Sequence, residues 1–276
     1  MDGRDEPGHD GKGREALFPF QQPASFFRLM TGPEGMPPIL EVENLGKSFG
    51  AVVVADKLSL SLAKGEALGI IGPNGAGKTS LFNMVAGVMK PTVGRVLLEG
   101  ADVTQMRPDR RCRLGIGRCF QIPKPFLGLS VFENLLVAAA FGRRGGRDAE
   151  ARSVEALELT GLARKANTLA GSLTLIERKR LELARALAGQ PTLLLLDEIA
   201  GGLTPHECED LVRAILSVRA TGVSIIWIEH VVHALLAIVD RLMVLHQGRK
   251  LMDGEPHAVM ASREVHEIYL GVEADG

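Results

Sequence analysis

One eight-residue segment, Gly72-Pro-Asn-Gly-Ala-Gly-Lys-Thr79, constrains the fold of this chain more than any other. It fits G-x-x-x-x-G-K-[ST], a loop built to hold phosphate. The glycines allow a tight turn whose successive N–H groups point inward as an anion nest. Lys78 adds a mobile cation suited to β- and γ-phosphates, and the Thr79 hydroxyl suits a Mg²⁺ held between them. A helix beginning near Lys78 aims the positive end of its dipole at the same place. Candidate nucleotide contacts are therefore Gly72, Pro73, Asn74, Gly75, Ala76, Gly77, Lys78, Thr79 and the adjacent Ser80. Ala67-Leu-Gly-Ile-Ile71 reads as a buried strand leading in, and Ser80 to Ala86 as a helix leading out. A glycine turn without a ligand is the plainer alternative; strand–loop–helix order argues against it.

The remaining pattern extends this unit into an α/β domain. Pro38–Glu43 and Asp56–Leu62 alternate apolar and polar residues as half-buried strands do, and Gly94–Gly100 ends in a turn glycine. These predict an antiparallel flap beside the phosphate loop. Helical patterning follows over Asp109–Leu114, Val131–Phe141, Asp148–Leu159 and Leu173–Ala188. Leu193–Leu196 and Ser224–Ile228 are continuous apolar runs separated by the helical Glu207–Arg219, which predicts a parallel sheet covered on both faces. Residues 1–37, rich in Gly, Pro and charge, read as a disordered extension. The domain should then span about 38–272, with an inserted helical subdomain at about 122–190.

Composition excludes several classes. A net charge of −1 gives no electrostatic case for nucleic acid as the main partner. The 3 cysteines have neither metal spacing nor an even count for a disulfide framework, which fits a reducing cytoplasm. No apolar run approaches the roughly 18–20 residues needed to span a bilayer. The chain is expected to be soluble by itself, so a membrane role requires another subunit.

Leu193-Leu-Leu-Leu-Asp-Glu198 places two carboxylates at the carboxyl end of a buried strand, where open α/β sheets bind ligands. Asp197 suits a Mg²⁺, directly or through water; Glu198 suits the polarisation of a water attacking the γ-phosphate. The pair would otherwise cap the next helix. Gln121 and His230 also follow strand-like runs. Each alone is more simply a solvated or structural residue. In this order, Gln121 can reach the γ-phosphate region through Mg²⁺ or water, and His230 by a hydrogen bond to a phosphate oxygen.

The order of these motifs over roughly residues 38–272 resembles the ATP-binding subunits of ABC transporters. The resemblance implies a P-loop NTPase core with a mixed or parallel sheet, an antiparallel β flap and a helical insertion. It also implies ATP and Mg²⁺ as ligands, and Phe49 stacked on adenine. Gly117-Arg-Cys-Phe-Gln-Ile-Pro123 and Ala200-Gly-Gly-Leu-Thr204 are similar to the branched-chain amino acid importers. Partners implied are membrane permease subunits, a second ATPase subunit of the same or a related kind, and indirectly a periplasmic or extracellular binding protein. The implied location is peripheral, on the cytoplasmic face of the membrane. A non-transport ATPase of the same fold, or a regulatory nucleotide-binding subunit, is the alternative.

Two segments depart from the family. Where Leu-Ser-Gly-Gly-Gln normally meets the γ-phosphate on the opposite subunit, this chain has Leu173-Thr-Leu-Ile-Glu177. Thr174, Leu175 and Glu177 are then the implied contacts in trans, without the glycines. Thr174-x-x-Glu177 predicts a capping box in any case. Ser-Ala-Leu-Asp is replaced by Gly201-Gly-Leu-Thr204, so Thr204 stands where an aspartate usually crosses the dimer interface. Pairing with a subunit that bears an intact signature would give one strong and one weak ATP site.

Overall fold

The computed structural model describes residues 37–269, so the extension expected over 1–37 lies outside the described residues apart from Pro37. The chain runs through β1 (Leu40–Phe49), β2 (Val52–Leu62), β3 (Ala67–Ile71), α1 (Lys78–Val85), β4 (Val93–Leu98), β5 (Ala101–Asp102), α2 (Pro108–Leu114) and β6 (Ile116–Cys119). Three helices follow: α3 (Val131–Phe141), α4 (Ala149–Leu159) and α5 (Leu175–Ala188). The remainder is β7 (Leu193–Asp197), α6 (Pro205–Arg219), β8 (Ser224–Ile228), α7 (Val232–Leu236), β9 (Arg241–His246), β10 (Arg249–Gly254), α8 (Pro256–Met260) and α9 (Arg263–Tyr269).

Two sheets form. The larger has the order β10-β9-β3-β8-β7-β6, parallel from β9 to β6, with β10 antiparallel on the edge. The smaller is antiparallel, β2-β1-β4-β5. The period-2 geometry of the parallel strands divides the core in two. Leu194, Leu196, Ile225, Trp227, Leu242 and Val244 face the side packed by α3, α4, α5 and α6. Leu193, Leu195, Ile226, Ile228, Met243 and Leu245 face the side packed by α1 and the small sheet. Truncating any of these leucines to alanine should cost about 2–5 kcal/mol. The all-apolar runs in β7 and β8 are thus explained: every position is inside.

Capping residues fix where the helices start. Ser130, Thr174 and Thr204 each close a capping box with the glutamate three residues on, beginning α3, α5 and α6. The far end of α1 is held differently. The buried Arg111 guanidinium donates to the carbonyls of Met84 and Val85, both at 2.7 Å, and of Thr104 at 2.8 Å. Burial pushes its pKa down to about 10.

Alternation in the sequence predicts the first strand only to Glu43, whereas β1 continues to Phe49. The strand passes an irregularity at Asn44, whose φ of 47° interrupts the alternation that sequence patterning relies on. The hairpin β9–β10 turns at Gln247-Gly248, both with positive φ. Among the described residues no helix is long and apolar enough to cross a membrane.

Candidate active site

The phosphate loop joins β3, which lies between β9 and β8 in the large sheet, to α1. Two of its glycines are required by space as well as by torsion. A Cβ on Gly72 (φ 152°) would lie 2.1 Å from the Leu245 carbonyl oxygen, and one on Gly77 (φ 100°) 2.3 Å from that of Val54. The small sheet, through Val54 on β2, therefore presses directly on the loop. Gly77 caps α1 without any side-chain hydrogen bond, so the amides of the first turn are unclaimed by a side-chain cap. Lys78 folds back over the loop, donating to the carbonyls of Gly72 at 2.6 Å and Pro73 at 3.1 Å. Burial lowers the Lys78 pKa, and the carboxylates of Glu198 and Asp197 oppose that shift. Thr79 is exposed at the start of the helix, beside half-buried Ser80, while Asn74 and Gly75 are exposed at the loop's tip. This is a cradle with one cation, open amides and no room for a side chain at Gly72 or Gly77, and it fits a polyphosphate.

Gln121, Glu198 and His230 come from the ends of three adjacent parallel strands, β6, β7 and β8, and they meet. The Gln121 side-chain amide donates to Glu198 Oε2 at 2.7 Å, and His230 Nε2 lies 2.9 Å from Glu198 Oε1. Register explains the convergence: Cys119 pairs with Leu196 and Asp197 with Ile228, so all three strands end level. Glu198 adopts φ 48°, an uncommon conformation for a side-chain-bearing residue, and its N–H is held by the Ile228 carbonyl at 2.8 Å. Asp197, one residue earlier, is buried in line with the strand.

Two residues that sequence patterning passes over organise this group. Arg118 donates to Asp197 Oδ2 and to Asn83 Oδ1 of α1, each at 2.7 Å, and its guanidinium lies 4.8 Å from the centre of the Phe120 ring. It ties the phosphate-loop helix, the acidic strand end and the Gln121 segment together. Glu229 is 1% exposed and accepts backbone N–H groups from both neighbouring loops. The available signal was a charged residue inside an otherwise apolar strand run, which requires a buried partner.

A hard cation prefers oxygen donors. Asp197 Oδ1, the Thr79 hydroxyl and the Gln121 carbonyl are of that kind, and Arg118 leaves Oδ1 without a hydrogen-bond partner among the described residues. The donor set fits Mg²⁺ supplemented by phosphate oxygens and water.

The other candidates stand apart. Phe49 is 54% exposed at the end of β1, with Lys47 Nζ 5.2 Å from its ring centre. Thr174 and Glu177 are bound to each other, Thr174 N–H to the carboxylate at 2.9 Å, and Glu177 also pairs with Lys165 at 3.2 Å. The Thr174 N–H holds the Glu177 carboxyl below its ordinary value. Leu175 projects outward, 48% exposed. No hydrogen bond or ion pair among the described residues joins this segment to the phosphate loop. Thr204 is likewise engaged in its own helix cap.

The family model for the ABC transporter domain matches residues 55–201. The high-affinity branched-chain amino acid transport ATP-binding protein BraF of Pseudomonas aeruginosa is 35% identical over 251 residues, covering 85% of this chain and 98% of BraF. The lipopolysaccharide export system ATP-binding protein LptB of Acidithiobacillus ferridurans is 34% identical over 236 residues, covering 86% of this chain and 98% of LptB. Among solved structures, the ADP conformation of an ATP-binding cassette of an ABC transporter superposes with a TM-score of 0.78 at 31% identity, covering 85% of this chain and 99% of the other.

Proposed function

This chain belongs to the ABC transporter family as an ATP-binding, ATP-hydrolysing subunit, and from that premise we propose that it powers import of branched-chain amino acids or a related small solute. The import reading draws on its likeness to BraF and on the phrases around Gln121 and Ala200. The comparable likeness to LptB supports a second reading, export of a larger amphiphile. Stimulation of ATP turnover separates them: an amino-acid binding protein with permeases should stimulate under the first reading, and lipid substrate under the second.

For the chemistry, the observation that carries the proposal is Glu198 held between Gln121 and His230 at the ends of three strands. Lys78 leaves the loop carbonyls and donates to the β- and γ-phosphates. The amides of Gly75–Thr79 surround the same oxygens, and Phe49 stacks on the base. Mg²⁺ held by Thr79, Asp197 and Gln121 would screen the charge on the phosphates. Glu198 takes a proton from water as the water oxygen bonds to the γ-phosphorus and the bridging oxygen leaves with ADP. Each Glu198 oxygen has one partner and keeps a lone pair able to accept from water. Gln121 lies on the exposed segment leading to α3, and a swing of its side chain away from Glu198 would link nucleotide arrival to movement of the helical region 122–190. His230 remains to meet the γ-phosphate.

In this reading the chain works peripherally at the cytoplasmic face of the membrane, against permease subunits and a second ATPase subunit. The trans segment Thr174, Leu175 and Glu177 then makes the poorer of two unlike sites in a heterodimer. Glu198→Gln tests the chemistry: the variant should bind ATP with near-normal affinity and hydrolyse it at least about 100-fold more slowly. Near-normal turnover by that variant would remove the general-base assignment. Equal losses from Glu198→Gln and from the corresponding change in the partner subunit would reject the unequal sites.

A further inference from the structure

Three candidate oxygen donors for a divalent cation stand on three different elements: Thr79 at the start of α1, Asp197 at the end of β7, and Gln121 beyond β6. One side chain reaches all three elements. Arg118 on β6 pairs in register with Leu195, so it shares a sheet face with Asp197, two residues further along β7. That face is the one covered by α1. Arg118 Nη2 donates to Asp197 Oδ2 at 2.7 Å, an ion pair whose side chains are 10% and 7% exposed. Nη1 donates to Asn83 Oδ1, also at 2.7 Å, and Asn83 lies one turn after Thr79 on the same side of α1. The guanidinium carbon lies 4.8 Å from the centre of the Phe120 ring, next to Gln121, and 5.9 Å from that of buried Phe82. Nε is buried with no hydrogen-bond partner among the described residues, which leaves the two outer nitrogens as the side chain's hold. A carboxylate bonded through one oxygen is fixed in the rotation of its plane, so the other oxygen is presented in a set direction. Mg²⁺ demands near-ideal octahedral geometry, so a ligand's orientation decides its worth. Groups that hydrogen-bond a metal ligand govern metal affinity by about 10- to 100-fold without touching the metal.

We propose that Arg118 is the positioning residue of the cation site. By bridging Asp197 and Asn83 it holds Oδ1 of Asp197 and the first turn of α1 at a fixed separation, and through Phe120 it registers the Gln121 segment against both. Lysine, a point charge on one nitrogen, cannot span both acceptors as this fork does. The role therefore belongs to the geometry of the arginine and not to its charge alone. The proposal rests on the reading of Asp197 as a ligand of the cation; Arg118 itself is assigned no contact with metal or nucleotide.

The test is the metal dependence of nucleotide binding by the full chain, measured by calorimetry with a non-hydrolysable ATP analogue, once with Mg²⁺ and once with EDTA. The ratio of the two affinities isolates the metal's share, because the phosphate loop contributes to both. Arg118→Lys should lower that ratio by about 10- to 100-fold, while the affinity in EDTA changes by less than about twofold. Asn83→Ala should lower it by about 2- to 10-fold, the worth of one hydrogen bond, and the double variant should be no worse than Arg118→Lys alone. Asn83→Ala keeps the buried ion pair, so it reads the same bridge should Arg118→Lys fail to fold. Equal losses with Mg²⁺ and with EDTA, or an unchanged ratio in either folded variant, would overturn the proposal. Asp197→Asn separates the two layers of the argument. If it alone lowers the ratio, only the positioning role falls; if it leaves the ratio unchanged, the ligand reading fails and takes the proposal with it.

Discussion

α1 and α5 begin in opposite ways. Any helix start leaves up to four N–H groups without intrahelical partners. At α1 the cap is Gly77, in left-handed conformation and with no side chain to offer, so the first turn is left for something outside the chain. At α5 the cap is Thr174, whose hydroxyl and N–H are both taken by Glu177, and Lys165 balances the carboxylate. Three or four residues therefore decide whether a helix start is a receptor or a closed end.

The contrast can be broken most directly at Lys78. Lys78→Ala should abolish measurable ATP binding in calorimetry, a loss of at least about 3 kcal/mol, because the substitution removes the loop's charge-assisted donor. If binding survives, the open start of α1 is not the receptor. Phe49→Ala should weaken ATP by roughly 1–3 kcal/mol, the worth of one base–aromatic stack, and leave thermal stability unchanged because the ring is mostly exposed. Thr174→Ala sharpens the other half. It should cost about 1 kcal/mol of folding stability, a fall in Tm of roughly 2–4 °C, and leave ATP affinity of the isolated chain untouched. The smallest effect concerns acid. Because the folded state holds the Glu177 carboxyl below the ordinary 4.5, its contribution is present above that value and is lost as pH falls through the lower, folded-state value. Melting curves of Glu177→Gln should lose that part of the acid dependence, by less than about 2 °C since solvent screens the group.

Much of this architecture is legible in the residues. Val131–Phe141 carries its own Ser-x-x-Glu start and helical period, and β8 is apolar at every position after Ser224, so both elements fall where the sequence puts them. The phosphate loop is legible because its torsions admit few residues. The hairpin β9–β10 is less so: its turn is Gln247-Gly248, with Gln in a conformation usually signalled by Asn or Asp, and β10 is polar and half-buried. Within the site, Gln121, Asp197, Glu198 and His230 are found by their place after strands, but the hydrogen bonds from Gln121 and His230 to one carboxylate depend on strand register. Arg118 and Glu229 escape for a related reason. Their partners, Asp197 and Asn83 in one case and Ala200 in the other, are distant in sequence and adjacent only once the strands pair.

Trp227 is the chain's 1 tryptophan, fully buried on β8, with its indole nitrogen unpartnered among the described residues. The protein thus carries a single indole fluorophore, two positions before Glu229 and three before His230. Its emission should be blue-shifted, and time-resolved decay should follow mechanical strain arriving at that strand during a catalytic cycle, without an introduced label and with no background from a second indole in the same chain.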